Sequence, residues 1–352
     1  MPSPSSSSSE PTTTLVVVVN WNNAALTERC VRALDASTGG VPFDVLVVDN
    51  GSDDDSVARL RAGVVGGRLL PLPDNRGFGA GVNAAIRHRR AEHYVLVNND
   101  AVPSPDFVAA LVSAADRSPT RVGAFTARLE LEGRFVRVLD DDSADDDFVS
   151  ADGCRWRRAP EGVTLVNSTG NVLDASGNGQ DRDWLSPVGR PSDPAVFGFS
   201  GGGALLRASA LDEIGLFDES LFMYYEDTEL SWRLAESGHL VRHVPDAVVM
   251  HRHSASSGTS SRLFVYYNTR NRIKVAVWHA SPGTAARAIL RTLARLLTAG
   301  SPRAASTRAV RDGLVAAVRD LPADLARRRT ISRRAGRSFR EIDPRTGLPD
   351  AV

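Results

Sequence analysis

Two apolar patterns alternate through the first hundred residues, and this alternation constrains the fold more than any other feature. Residues 15–19 are an unbroken Leu-Val-Val-Val-Val run, and residues 45–48 repeat the pattern. Short runs of β-branched side chains without polar interruption suit strands buried on both faces. Residues 68–72 and 94–97 read as two more strands. Between them, residues 25–34, 56–62 and 79–90 carry apolar side chains at helical spacing. Strands alternating with helices specify βαβ units. The expected fold is therefore α/β, a mostly parallel sheet flanked by helices.

Ligands of such sheets bind beyond the carboxyl ends of the strands. The segments found there are Asn20-Trp21-Asn22, Asp49-Asn50-Gly51-Ser52, Asp74-Asn75-Arg76-Gly77 and Asn98-Asn99-Asp100. All are polar and turn-prone, so each is open to a purely structural reading as a turn. Together they can serve one chemistry, the transfer of a sugar from a nucleotide donor. The departing diphosphate needs a divalent cation or positive side chains. A carboxylate must take the proton of the attacking hydroxyl. Asp100 is a hard oxygen ligand suited to Mg2+ or Mn2+, with Asn99 beside it. Asp49 can accept from a base or ribose. Arg76 and the glycine-rich run from Gly77 can approach a phosphate. Gly201-Gly202-Gly203 would let backbone approach a sugar ring. Glu226 and Asp227 open a helical pattern, where acids also serve as dipole partners. His251 and His253 follow a strand-like run.

The rest of the 352-residue chain adds bounds. Lys plus Arg equal Asp plus Glu at 42 each, and this balance argues against a nucleic-acid partner. Two cysteines, Cys30 and Cys154, form no CxxC motif, consistent with a reducing cytoplasm. Residues 1–14, rich in Ser, Pro and Thr, read as a disordered tail without signal-peptide features. No apolar run reaches the ~20 residues of a membrane span. Residues 130–160 hold two Asp triplets and read as a solvated, mobile acidic insertion; they lack the glycine and glutamate of a calcium loop. Residues 174–184 read as a loop. From residue 262 to 340 there are 18 Lys or Arg against 3 acids. Amphipathic helices are expected there. Ala286, Ile289, Leu290, Leu293, Leu296 and Leu297 form one apolar stripe beside Arg287, Arg291 and Arg295. Such helices can cap the catalytic domain, form a homodimer contact, or attach to an anionic membrane surface.

In order and spacing these segments resemble the family-two inverting glycosyltransferases of GT-A fold, in particular their rhamnosyltransferase-like branch. The resemblance rests on Val47-Val48-Asp49-Asn50-Gly51-Ser52, on Asn75-Arg76-Gly77-Phe78-Gly79-Ala80-Gly81-Val82-Asn83, and on Leu96-Val97-Asn98-Asn99-Asp100. It rests further on Gly215-Leu216-Phe217-Asp218-Glu219, on Glu226-Asp227-Thr228-Glu229-Leu230-Ser231-Trp232-Arg233, and on Pro245-Asp246-Ala247 with His251. Arg270-Asn271 is similar to a further downstream motif. The catalytic domain would span 15–260 and the basic helical region 261–352. The resemblance implies that Asp100 binds the metal bridging the diphosphate, with His251 as a second ligand. Asp49 would contact the nucleoside, with Asn20, Trp21 and Asn22 beside the base. Gly77 and Asn83 belong to the second motif. Asp227 would be the general base, and Glu226 would support it. Asn98 stands where the family places a first acid, so metal binding would rest on one carboxylate. Glu229 is longer than the usual last acid, with consequences expected at the acceptor. Partners implied are a nucleotide-sugar donor and a saccharide, lipid-linked or small natural-product acceptor. The rival classes are a non-catalytic nucleotide-sugar-binding module and a nucleotidyltransferase. The full Glu226-Asp227 context disfavours the first, and Asn20-Trp21-Asn22 after the first strand disfavours the second.

Overall fold

A computed structural model describes residues 12–63, 65–138, 147–150, 152–174, 177–252, 261–298, 304–334, 336, 341–342, 344 and 346–347. His253 and most of the two Asp triplets lie outside the described residues. The first half begins β1 (Thr12–Asn20), α1 (Ala24–Asp35), β2 (Asp44–Asp49), α2 (Ser56–Ala62), β3 (Leu69–Pro71), α3 (Phe78–His88) and β4 (Ala91–Val97). It continues with β5 (Ala101–Pro103), α4 (Phe107–Asp116) and β6 (Val122–Leu131). Short strands follow: β7 (Phe135–Val138), β8 (Phe148–Val149), β9 (Arg155–Arg158), β10 (Val166–Ser168), β11 (Asn171–Leu173), β12 (Gly179–Asp181) and β13 (Ala195–Val196). Then come β14 (Gly203–Arg207), α5 (Ala208–Ile214), α6 (Glu226–Glu236), β15 (Leu240–His251), α7 (Arg262–His279), α8 (Pro282–Leu297) and α9 (Ala305–Arg334).

The main sheet runs β13-β15-β6-β14-β4-β1-β2-β3. Strands β4, β1, β2 and β3 are mutually parallel, as the apolar runs require. Alternation along β1 divides its side chains between two cores. Val16 and Val18 pack with Val31, Leu34, Phe107 and Leu111. Leu15 and Val17 pack with Val82, Ile86, Leu230 and Leu234 on the opposite face. All four β1 side chains are at most 1% exposed. Beyond β4 the sheet is mixed. Strand β14 enters antiparallel to both β4 and β6, while β15 runs parallel to β6.

Register explains why distant segments meet. Asn20 pairs with Asp49 at the carboxyl ends of β1 and β2. Gly203 pairs with Val97, so the three glycines reach the end of β4. Strand β5 pairs with β15 so that Ala101 faces His251, which carries the imidazole to Asp100.

Three expectations are corrected. Strand β1 starts at Thr12, and Thr12 and Thr14 pair with Ala91 and His93, so residues 12–14 belong to the sheet rather than the tail. The described parts of 130–160 are no mobile insertion. Strands β7, β9 and β8 form a small antiparallel sheet on which Phe135, Phe148, Trp156 and Trp184 cluster, and Asp147 pairs with Arg157 at 2.8 Å. Residues 174–184 contain β12, which closes a hairpin on β11. In each case long-range apolar packing or strand pairing overrides a polar local composition.

Helix α7 is built into the body. Its Ile273, Val275, Val277 and Trp278 join Phe197, Leu221, Tyr225 and Trp232 in one cluster.

Candidate active site

A cleft of about 460 Å³ opens at the carboxyl edge of the parallel strands. Of the residues singled out from sequence, Trp21, Gly77, Asn99, Asp100, Gly202, Glu226, Asp227 and His251 line it. Asn20, Asn22, Asp49, Arg76, Asn83 and Gly203 are not on its surface; they build its walls.

The wall beneath Trp21 consists of polar groups satisfied by one another. Asp49 is fully buried. Its Oδ2 accepts from Asn20 Nδ2 and Ser52 Oγ, both at 2.7 Å, and its Oδ1 accepts from the Ser52 N–H at 2.9 Å. Asn20 Oδ1 accepts from Thr27 Oγ1 at 2.6 Å. Asn22 is bound to Asp53 through Nδ2 at 2.6 Å, with φ 51°. Asn20, Asn22 and Asp49, expected beside the nucleoside, thus hold one another and the neighbouring turn, which presents Trp21 to the cleft.

The glycine-rich segment is likewise structural in part. Arg76 ion-pairs with Glu219 at 3.3 Å, its side chain mostly exposed. Asn83 is buried, receiving the Phe217 N–H at 3.0 Å and donating to the Phe217 carbonyl and Glu219. Gly77 has φ 90°, and a Cβ there would lie 1.9 Å from the Phe222 carbonyl oxygen. Only glycine permits that backbone approach. Gly203 packs against Leu129 and Val249 within β14.

Asp100 and His251 meet as expected. His251 Nε2 lies 3.1 Å from Asp100 Oδ1, and Nδ1 lies 2.7 Å from Asn167 Oδ1. An amide oxygen on Nδ1 favours the proton there, which makes Nε2 an acceptor, approached by Asn98 Nδ2 at 3.3 Å and lying beside the Asp100 carboxylate. A hard divalent cation suits this oxygen–nitrogen pair. Among the described residues no group of three His, Cys, Asp or Glu converges as a metal site. The remaining ligands would therefore come from donor phosphates and water.

The opposite wall is formed by residues 222–228. Phe222, Tyr224 and Tyr225 have φ of 66°, 66° and 71°, a left-handed backbone that non-glycine residues rarely adopt. Asn271 of α7 holds it: its Nδ2 lies 2.8 Å from each of the Leu221, Met223 and Tyr224 carbonyls. Arg270 adds a bond to the Ser220 carbonyl at 3.0 Å. Helix α6 then starts at Glu226 without a side-chain cap. Asp227 Oδ2 accepts from the Gly201 N–H at 3.1 Å, and Oδ1 from the Thr228 N–H at 2.6 Å. Burial raises its pKa against those hydrogen bonds, which strengthens it as a base. Burial and then the neighbouring Asp227 push Glu226 up to about 8. Its Oε2 has no hydrogen-bond partner among the described residues.

Several site residues escaped the sequence. Asp181, on the β11–β12 hairpin, opens into the cleft, and enclosure by the surrounding walls raises it to about 6, with Asp227 adding to the shift. Asn167, Asn171, Thr228, Phe264 and Asn268 also line the cleft. Thr228 and Asn171 are spaced 57 residues apart and touch at 3.5 Å. Thr228 sits in the motif that carries Asp227; the others follow no local pattern and are brought in by β10, the β11–β12 hairpin and α7. Glu229, expected at the acceptor, is instead fully buried. It is gripped by Arg233 at 2.7 Å and lies 3.5 Å from His279.

A strand-end cleft with a cation-suited pair on one wall and a base-strength carboxylate on the other is equipped to move a group from a nucleotide donor to a hydroxyl. The comparisons give that class its family. Residues 11–276 match the family described as "Glycosyltransferase like family 2", and the chain belongs to this family. It is a nucleotide-sugar-dependent glycosyltransferase of GT-A fold. It is 31% identical over 247 residues to the N-acetylglucosaminyl-diphospho-decaprenol L-rhamnosyltransferase of Mycobacterium tuberculosis, covering 66% of this chain and 73% of that one. It is 25% identical over 235 residues to the uncharacterized glycosyltransferase YfnE of Bacillus subtilis, covering 61% and 58%. Among solved structures, GalNAc-T7 with UDP, GalNAc and Mn2+ superposes with a TM-score of 0.56 at 14% identity, over 90% of this chain and 57% of that one.

Proposed function

We propose that this protein transfers a sugar, rhamnose in the first instance, from a dTDP- or UDP-sugar to a hydroxyl of a lipid-linked or cell-wall saccharide. The reaction inverts the anomeric centre by direct displacement. The acceptor oxygen attacks the anomeric carbon as Asp227 takes its proton, and the bond to the nucleoside diphosphate breaks on the opposite face. The observation that carries this reading is the Asp227 carboxylate. It is held at both oxygens by the Gly201 and Thr228 N–H groups and made more basic by burial. Asp100 and His251 would hold Mg2+ or Mn2+, which would stabilise charge growing on the diphosphate. Glu226, neutral below about 8, keeps a second negative charge away from the base. Trp21 offers an exposed ring to the nucleobase, and Asn99 at the cleft lining offers an amide to the donor.

The choice of rhamnose and of a lipid-linked acceptor is supported by the named activity of the mycobacterial relative. An acceptor of that kind sets the reaction at the inner face of the cell membrane, with the protein attached peripherally. No helix among the described residues is long and apolar enough to cross a membrane.

The test is transfer by purified protein from dTDP-rhamnose and UDP-sugars, with Mn2+ or EDTA, to a short-chain polyprenyl-diphospho-sugar. Transfer lost in Asp227→Asn with donor binding intact supports the base. Wild-type turnover in Asp227→Asn overturns it. Transfer only to small glycosides redirects the acceptor reading to natural products.

A further inference from the structure

One face of α7 builds the cleft wall that carries Asp227. Phe264, Asn268 and Asn271 recur at spacings of four and three. At 100° per residue they fall within an arc of about 60°. Asn271 holds the carbonyls of the strained loop, and Tyr267 beside it stacks on Phe222 with ring centroids 5.0 Å apart. Phe264 meets Tyr224 edge-on at 4.9 Å, and both residues are half-buried. Tyr224, Phe264 and Asn268 all line the cleft. Among the described residues the Asn268 side-chain amide has no hydrogen-bond partner. The left-handed backbone at Tyr224, with φ 66°, is thus held by α7 side chains, and it sets an aromatic pair beside an open amide.

We infer that Tyr224, Phe264 and Asn268 form the acceptor subsite and seat the saccharide ring that bears the attacking hydroxyl. The aromatic pair meets the C–H face of that ring, and the amide meets one of its hydroxyls. The inference rests on the sugar transfer proposed above and names the residues that seat its acceptor. Reaction geometry selects the occupant. In a direct displacement the acceptor oxygen reaches the anomeric carbon from the face opposite the leaving diphosphate. The diphosphate belongs with the Asp100–His251 pair on one wall, so the acceptor belongs with Asp227 on the other. A hydroxyl within proton-transfer reach of Asp227 brings its own ring onto the residues around that carboxylate. Tyr224 stands three positions before Asp227 in the chain. A lipid chain matches this wall less well, because the Asn268 amide would face hydrocarbon without a partner. A saccharide ring has an apolar face and a rim of hydroxyls, and so answers both parts of the wall.

The experiment measures acceptor and donor affinities separately on the full chain. Acceptor KM and kcat come from the transfer assay, and donor Kd from calorimetry with the nucleotide sugar and Mg2+. Phe264→Ala should raise acceptor KM about tenfold with donor Kd unchanged. Phe264→Trp, which restores an aromatic face, should keep KM within about threefold of wild type. Asn268→Ala should raise KM about fivefold, and it tests the subsite even where thermal melts show Phe264→Ala to be destabilised. Trp21→Ala should do the reverse, weakening the donor and leaving acceptor KM unchanged. Saturation-transfer NMR reads the subsite without turnover. The probes are methyl glycosides of glucose, N-acetylglucosamine, galactose and mannose, added with dTDP or UDP and Mg2+. A glycoside that gives signal on wild type should lose it in Phe264→Ala. Unchanged acceptor KM in both Phe264→Ala and Asn268→Ala overturns the inference, as does an equal loss of donor affinity. A penalty seen with lipid-bearing acceptors and absent with methyl glycosides assigns the wall to the lipid and also overturns it. If no acceptor is turned over, the proposed transfer fails, while glycoside signal lost in Phe264→Ala still supports the subsite. With neither turnover nor glycoside signal on wild type, both fall.

Discussion

The two walls of the cleft use polar residues in opposite ways. At the ends of β1 and β2, Asn20, Asp49, Ser52 and Thr27 satisfy one another, and the backbone is held by their short hydrogen bonds. At residues 222–228 the backbone itself is strained, and a side chain from α7 holds it. The first arrangement makes a platform whose carboxylate is held by three hydrogen bonds inside the wall. The second leaves two adjacent carboxyls with raised pKa, one lacking a hydrogen-bond partner among the described residues. In the second wall burial raises both carboxyls, which is what a proton acceptor needs, and the first wall has no such pair.

The sharpest way to break this contrast is to exchange the acids. Asp227→Asn should lower kcat by about 10²–10⁴-fold with little change in donor Kd, measured by steady-state kinetics and calorimetry. Asp49→Ala should act through the fold, because it leaves the Asn20 and Ser52 donors without their acceptor. A loss of about 2–3 kcal/mol is expected in urea unfolding, with a raised donor KM. Equal kcat losses in both variants would erase the distinction between the walls.

Asn271→Ala tests whether strain at residues 222–225 is held from α7. Removing one amide that serves three carbonyls should cost about 2 kcal/mol and reduce kcat, since Asp227 follows directly on that loop. Asn271→Asp, which has no N–H donor, should not rescue it.

The joint between α6 and α7 should respond to pH. Burial opposes a charge on His279, but Glu236 at 2.9 Å and Glu229 at 3.5 Å outweigh it and raise its pKa to about 9. A raised pKa means the charged form stabilises the fold. That contribution is complete below the unfolded histidine value near 6.5 and is lost as pH rises through about 9. Thermal melts should therefore lose on the order of 2 kcal/mol between those values. His279→Gln should flatten that slope. Burial likewise opposes the charge on Glu229, but Arg233 and His279 hold its pKa down to about 2, so its contribution persists well into acid.

The smallest effect is expected from Arg76→Ala. Its side chain is mostly exposed and bound to Glu219, so stability should change by about 0.5 kcal/mol and donor affinity hardly at all. A large loss of affinity would restore the phosphate contact expected from its motif.

The order of strands and helices through β4 could be read from the chain, because buried parallel strands leave an apolar signature that neighbouring residues carry locally. The pairing of Asp100 with His251 came from motif order, not from any local signal; the β5–β15 ladder supplies its geometry. The small β7–β9–β8 sheet was hidden because acids surround its few aromatics. Asp181 was hidden because a Gly- and Asp-rich stretch looks the same whether it forms a loop or a hairpin.

By itself, then, the sequence determined the βαβ half, the polar strand ends, the acid pair Glu226-Asp227 and the arginine-rich amphipathic C-terminus. These depend on composition and period within a few turns of chain. Tertiary structure alone decided which polar residues face the cleft and which satisfy one another inside its walls. It also turned Asp49 inward and Asp227 toward the cleft, and left Leu290, Leu293 and Leu297 exposed while Ile289 and Leu296 were buried. The physical reason is that hydrogen-bond partnership and burial are set by atoms distant in sequence, which no local periodicity encodes.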